Sequence, residues 1–287
     1  MGSFPSHAFP GSLFIVLALW WTVNIVYYFN KARWTGQTFI ARPNFIVYRQ
    51  TGNVIPIEAV CKVAFAIIGI LGELIWSLKY NFGLPVGNAQ HMTMFAFFGI
   101  SGLCDLTAHY KRSYVPPNID YAALIMAFLV EALLFHFHLH GRSSLDVTIH
   151  TILVYTILSN AIIIGVELRM VNSALVSLVK ALLLLVQGTW FWQIGFILYS
   201  PSRSPSKWHA EDHEHILLAV LIFVWHAAID LAVLAGTGVI VTIVQRRLFY
   251  ETSGYRMVDI SDSQYSMTIL TGKEDVLTDE ADSSRQS

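Results

Sequence analysis

The strongest constraint in this chain is one repeated pattern: seven long, nearly uncharged stretches joined by short polar connections. They run over about 13–29, 55–78, 91–109, 121–140, 147–168, 175–199 and 216–244. A helix needs roughly 20 mostly apolar residues to cross the hydrocarbon of a bilayer. A chain inside lipid must also satisfy its own backbone, which leaves helices or closed barrels. The stretches are too long and too continuously apolar for tilted strands. The pattern therefore predicts an all-α polytopic membrane protein, a seven-transmembrane-helix bundle over residues 1–247 with a disordered cytosolic tail over 248–287. The second stretch fits least well, because it carries Glu58, Lys62 and Glu73.

Composition agrees. Hydrophobic residues make up 55% and charged residues 13%, against about 25% charged in a soluble globular protein. A net charge of -1 leaves no basic footprint for nucleic acid. The two cysteines, Cys61 and Cys104, fall inside apolar stretches and exclude a disulfide framework. The longest connection, 30–54, carries Gly, Pro and Asn turn signals.

Orientation follows the excess of Lys and Arg in cytosolic connections. Lys31, Arg33, Arg42, Arg49, Lys111, Arg112, Arg169, Arg246 and Arg247 fall on one side, against Lys79, Arg142, Arg203 and Lys207 on the other. The expectation is a lumenal or extracellular N-terminus, a first helix acting as an uncleaved signal-anchor, and a cytosolic tail. The opening Met1-Gly2 fits a myristoylation pattern formally, but this orientation places Gly2 outside the cytosol, so it reads as a chance match. The tail is rich in Ser, Thr, Asp and Glu and lacks an apolar period. Its Tyr255 to Val258 match the tyrosine-x-x-bulky-apolar pattern read by clathrin adaptors, a sorting motif that predicts such a partner.

The chemistry concentrates at one membrane face. In a serpentine bundle alternate helix ends meet, which gathers His91, His136, His138, His140, Asp146, His150, His209, Asp212, His213, Glu214 and His215 in one half of the bilayer. Ionisable groups inside a membrane are costly unless paired or ligating, so they are functional candidates by default. On a helix Glu131 and His138 share a face, as do Asp146 and His150. His226 lies deep in the last stretch, one turn before Asp230. Neutral imidazoles are good zinc ligands when carboxylates orient them. The metal candidates are His91, His138, His140, His150, His213 and His226. Zinc is the metal expected, with copper, iron or a haem as alternatives. Glu131 or Glu73 would serve as general base toward a lipid-like substrate.

The competing readings are structural. Helix-end histidines often sit half-wetted and bind nothing. Asp146 reads as a helix cap, and Glu131 with His138 as an interhelical hydrogen-bond pair. Glu58 and Lys62, one turn apart, read as mutually neutralising. Gln187 at mid-depth needs polar partners. Lys180 either reaches the cytosolic interface or faces Asp105 or Glu58. A proton-coupled transporter and a non-catalytic trafficking or scaffold protein stay open beside the metal-dependent membrane enzyme. The HExxH pattern of zinc proteases is absent, as are the receptor elements Asp-Arg-Tyr and Asn-Pro-x-x-Tyr.

Several of these residues carry a resemblance. His7, Pro10-Gly11, Leu19-Trp20-Trp21, Glu58, Gly72-Glu73, His91, Asp105 and Val130-Glu131-Ala132 carry its first half. His138, His140-Gly141-Arg142, Asp146, His150, Gln187-Gly188, Trp190-Phe191, Gln193 to Phe196, Asp212-His213-Glu214 and Trp225-His226 carry the second. With them the chain resembles the transmembrane protein 45 family, which includes the epididymal transmembrane proteins. The resemblance favours Glu131, His138, His140, His150, His213 and His226 over His136, His209, His215 and Asp230. It implies a multi-pass protein of Golgi, endosomal or surface membranes, and no particular reaction.

Overall fold

The computed structural model describes residues 3–45, 47–48, 54–81, 83–139, 141–199 and 208–253. These hold seven long helices: α1 (Phe4–Trp34), α2 (Ile57–Asn81), α3 (Val86–Tyr110), α4 (Ile119–Phe137), α5 (Ser144–Arg169), α6 (Ala174–Leu198) and α7 (His213–Ser253). The helical architecture expected from the apolar stretches is observed. Six of the helices are long and apolar enough to cross a membrane; α3 is the exception. The sequence marked α2 as the insecure span, yet α2 qualifies. Its charges cluster near its ends, whereas polar groups spread along α3 from Asn88 and His91 to Asp105 and Thr107.

Consecutive helices run up and down, so the starts of α1, α3, α5 and α7 meet the ends of α2, α4 and α6. We call this the histidine end and its opposite the lysine end. At the histidine end the Leu145 backbone N–H donates to the Ala210 carbonyl, 3.0 Å, tying the starts of α5 and α7. Phe4 packs on Trp192 and Phe196, tying the start of α1 to the end of α6.

The most buried helix is α6, and α1 packs along it. Their backbones nearly touch: a Cβ on Gly188 would lie 2.8 Å from the Gly11 carbonyl, and one on Gly11 2.8 Å from that of Gly188. Small residues let membrane helices approach this closely, where packing rather than water expulsion drives association. Trp21, Trp190, Phe128 and Phe191 fill the centre. The Trp190 indole donates to the Ile149 carbonyl, 2.9 Å, so burying its N–H leaves nothing unpaired. Large side chains such as Ile75, Leu221 and Ile240 remain more than half exposed on α2 and α7. A soluble monomer rarely shows so broad an apolar surface; against lipid it is the expected exterior.

The described parts of the 30–54 connection are ordered beyond what its turn signals implied. Val47–Tyr48 and Val54–Ile55 pair as a short antiparallel hairpin. The segment before it folds into the lysine end, burying Phe39, Ala41 and Phe45, with the Ala41 N–H bonded to the Val171 carbonyl at 2.7 Å. The tail beyond 253, its sorting motif Tyr255 and Val258, and His140 lie outside the described residues.

Candidate functional site

Two polar layers lie inside the bundle, one toward each end. At the lysine end Lys62 bonds Asp105 on α3 at 2.8 Å and lies 3.3 Å from Glu58. Glu58 accepts from the Trp21 indole, 3.0 Å, and the Phe45 backbone N–H, 2.9 Å. Beyond Trp21, the Lys180 ammonium sits 4.5 Å from the indole centroid, donates to Glu167 at 2.6 Å and reaches the Arg42 carbonyl at 3.2 Å. Lys180 and Glu167 are both fully buried. Lys180 thus does not extend to the interface; its direct partner is Glu167, and Glu58, one of the expected countercharges, acts on it from across the Trp21 ring. Glu167 takes it, because both sit near the hairpin joining α5 to α6. The expected Glu58–Lys62 pair exists, with Asp105 as a third member.

The histidine end is looser and contains space. Glu73, near the end of α2, accepts from Asn88 at 2.6 Å and lies 3.0 Å from His91 Nδ1, both on α3. The His91 and His138 rings are 5.7 Å apart between centroids. From His138 a chain of contacts crosses to α5. Arg142 meets His138 at Nε2, donates from Nε to its carbonyl at 3.0 Å, and bonds Asp146 at 2.8 Å. Asp146 Oδ1 lies 2.6 Å from His150 Nδ1. The His150 ring is in edge contact with that of His7, 5.8 Å between centroids.

Three expectations are corrected here. The fourth helix ends at Phe137 rather than 140, with His138 as its cap, and His138 does not pair with Glu131, two turns back; its ring bonds Gln90 on α3. Glu131 instead accepts from both its oxygens the amide of Gln187, at 3.2 and 3.1 Å, and Asn160 donates to Gln187 at 2.9 Å. Asp146 is not the cap of α5; Ser143 is, accepting from the Asp146 N–H at 3.4 Å.

The proposed ligands separate. His138 has both ring nitrogens engaged: Nδ1 donates to Gln90 at 2.8 Å, and Nε2 receives Arg142. Burial and the adjacent guanidinium push its pKa down from 6.5 to about 4, so the ring stays neutral. His150 is bound to Asp146. His213 is exposed at the start of α7, and His226 lies against the Trp190 ring and near Asp230, away from the others. Asp230 itself accepts from Thr189 at 2.7 Å. Among the described residues, no three His, Cys, Asp or Glu side chains are grouped so as to hold a metal ion. Glu73 and His91 are adjacent donors, fewer than the three or four a zinc ion takes from protein.

What the histidine end does form is a cavity of about 330 Å³ between α1, α2, α3 and His138, with Glu73, His91, Trp76 and Phe95 in its wall. A second recess of about 50 Å³ reaches inward to Glu131 and His7 and shares Glu73, His91 and Phe95 with the first. The sequence pointed to Glu73, His91, His138, Asp146 and His150, but not to Asn88, Gln90 or Glu167; Arg142 entered as a loop charge and as part of the resemblance, not as a site residue. One signal was available: His138, Arg142, Asp146 and His150 recur every fourth residue, and each contacts the next although the chain turns at Gly141, φ 75°.

Residues 118–238 match a family of unknown function, DUF716. The match spans α4, α5, α6 and most of α7, so it includes Glu131, His138, Asp146, His150 and Gln187 but not Glu73 or His91. The chain is 25% identical over 147 residues to transmembrane epididymal protein 1 of Homo sapiens, covering 51% of this chain and 54% of that protein. It is 24% identical to the Rattus norvegicus protein of that name and 23% to transmembrane epididymal protein 1A of Mus musculus, covering 48% of each. The chain thus spans about half the length of these relatives. With its apolar helices, this makes it an integral multi-pass membrane protein, and the resemblance read from its sequence holds.

Proposed function

We propose that this homologue of the epididymal transmembrane proteins, which carries the DUF716 region, is a seven-span membrane protein that binds a small ligand in the histidine-end cavity. The observation that supports this is the cavity itself: about 330 Å³, the size range of small-molecule sites, with a fixed carboxylate and imidazole in a largely apolar wall. Asn88 holds one oxygen of Glu73. With His91 Nδ1 donating to the other, Nε2 becomes the basic nitrogen, the arrangement in which a carboxylate orients a general base. Glu131 at the inner recess gives a second proton-holding group along the same path. That recess favours, as second reading, a proton-coupled carrier over a scaffold. Zinc stays a variant of the same cavity, held in part by Glu73 and His91.

The seventh span is α3. It is as long as α2, lies between α2 and α4, and pairs an ionisable group at each end with α2: His91 with Glu73, Asp105 with Lys62. With seven spans, the surplus of Lys and Arg puts the lysine end in the cytosol and the cavity toward the lumen or exterior. The tail then offers Tyr255 to Val258 to cytosolic adaptors, in keeping with Golgi, endosomal or surface membranes.

The test is co-purification. Protein isolated in nanodiscs without chelators or a histidine tag is analysed for bound small molecules and metals, alongside Gly72→Leu. Gly72 lines the cavity and a Cβ there would meet nothing within 4 Å, so a side chain can start from this position into open space. A molecule present in wild type and lost in Gly72→Leu is the expected result. Stoichiometric zinc lost in Glu73→Gln would replace the metal-free reading, and equal recovery of every species from Gly72→Leu overturns the cavity as the working site.

A further inference from the structure

This inference rests on the cavity reading and names what the cavity takes. The wall of the cavity is not closed by protein on its α2 side. Ile68 and Trp76 line it, yet they are 53% and 48% exposed on the outward surface of α2. Eight residues separate them, about 12 Å along a helix axis, so the gap runs from the histidine end into the apolar interior. In a bilayer those side chains border acyl chains. The cavity is thus continuous with the lipid, and an amphiphile can reach it sideways without leaving the membrane.

The headgroup is indicated by charge and rings. Glu73 is the one side chain of full charge among the described residues lining the cavity. Its carboxylate is fixed by Asn88 and His91, both acting from the α3 side. Arg142, the cation closest in sequence to His138, is engaged by Asp146 and His138 and does not line the cavity. Around Glu73 stand Phe9, Trp76 and Phe95. Aromatic faces beside a carboxylate attract ammonium groups and give nothing to an anion. The cavity volume suits a headgroup and the first part of one chain rather than a whole diacyl lipid. We infer that the site binds an amphipathic amine, a single-chain lipid with an ammonium head, which enters between α1 and α2 and places its nitrogen against Glu73.

The experiment uses the full chain in phosphatidylcholine nanodiscs, with empty nanodiscs as the blank, and radiolabelled dodecylamine, dodecanoate and butylamine as probes. Dodecylamine is expected to bind at least tenfold more tightly than either of the others. Glu73→Gln, which keeps the size and the hydrogen-bonding capacity, should reduce that preference at least tenfold, and Gly72→Leu should abolish specific binding. Thermal unfolding of both variants is measured first, so that lost binding refers to folded protein. Butylamine binding as tightly as dodecylamine would overturn the lateral route in favour of a soluble amine. Dodecanoate binding more tightly, or an unchanged preference in Glu73→Gln, would overturn the ammonium while Gly72→Leu still reports on the cavity. Probe binding that persists in Gly72→Leu removes the cavity reading and this inference together.

Discussion

The two polar layers contain the same kinds of residue and do opposite things. At the lysine end Glu58, Lys62, Asp105, Glu167 and Lys180 are nearly or wholly sealed from solvent, and each cation meets a carboxylate. At the histidine end Glu73, Asp146, Arg142 and His138 remain partly accessible, and Glu73 and His138 border a void. Burying an ion costs several kcal/mol and is offset only by a close partner. The lysine end meets that demand with tight pairs. The histidine end sets imidazoles and amides beside its carboxylates and keeps room for something else. Ionisable groups in a membrane protein are therefore better sorted by the space beside them than by their number.

The comparison can be broken most forcefully at Lys180. Lys180→Met strands Glu167 in the core, and removing one partner of a buried pair costs about 3–5 kcal/mol. We expect most of the protein to be lost as a folded, monodisperse species on size exclusion in detergent. Adding Glu167→Gln should recover much of it, since the orphaned charge is then gone. If Lys180→Met alone elutes and melts like wild type, the lysine end is not the structural layer.

A smaller and pH-dependent effect is expected at His138. The unfolded imidazole titrates near 6.5 and the folded one near 4, so the unfolded chain binds the proton first. Stability is full above about 6.5, falls as pH is lowered from there, and levels out below about 4. His138→Gln, which does not titrate, should flatten the acid limb of a plot of melting temperature against pH. An identical acid limb would show that His138 is not held neutral by burial and Arg142.

The smallest effect belongs to His213, exposed at the first turn of α7. His213→Ala should change melting temperature by no more than an ordinary surface substitution, within about 0.5 kcal/mol, and leave any bound ligand in place. Loss of a ligand or metal from this variant would restore it to the site from which its position separates it.

How much of this was legible in the sequence differs between the layers. The helices were, because apolar length is a one-dimensional signal; so was the gathering of histidines at one end, which depends only on counting helix ends. Which side chains pair was not. Glu131 was matched with His138 on a helical wheel, which gives a shared face but ignores the two turns, about 10 Å, between them, and its partner Gln187 lies 56 residues away on α6. Lys180 was weighed against Asp105 and Glu58, but not against Glu167, its actual partner. The cavity was invisible, since a void is set by which helices stay apart, and Gly72 looks no different in sequence from Gly69, where a Cβ would strike the Phe95 ring.

The clamp on the segment before α2 also has a bearing on how the protein is made. The Arg42 carbonyl waits for Lys180, 138 residues later, and the first helix finds its main neighbour only when α6 is complete. Chains emerge from the ribosome N-terminus first, so α1 enters the membrane before its main neighbour exists, while α2 meets its own, α3, next. The Glu167–Lys180 pair, 13 residues apart, can close within its own hairpin. The arrival of α6 is thus the step that locks α1 and the Arg42 segment, whereas Lys62 can meet Glu58 and Asp105 as soon as α3 is in place.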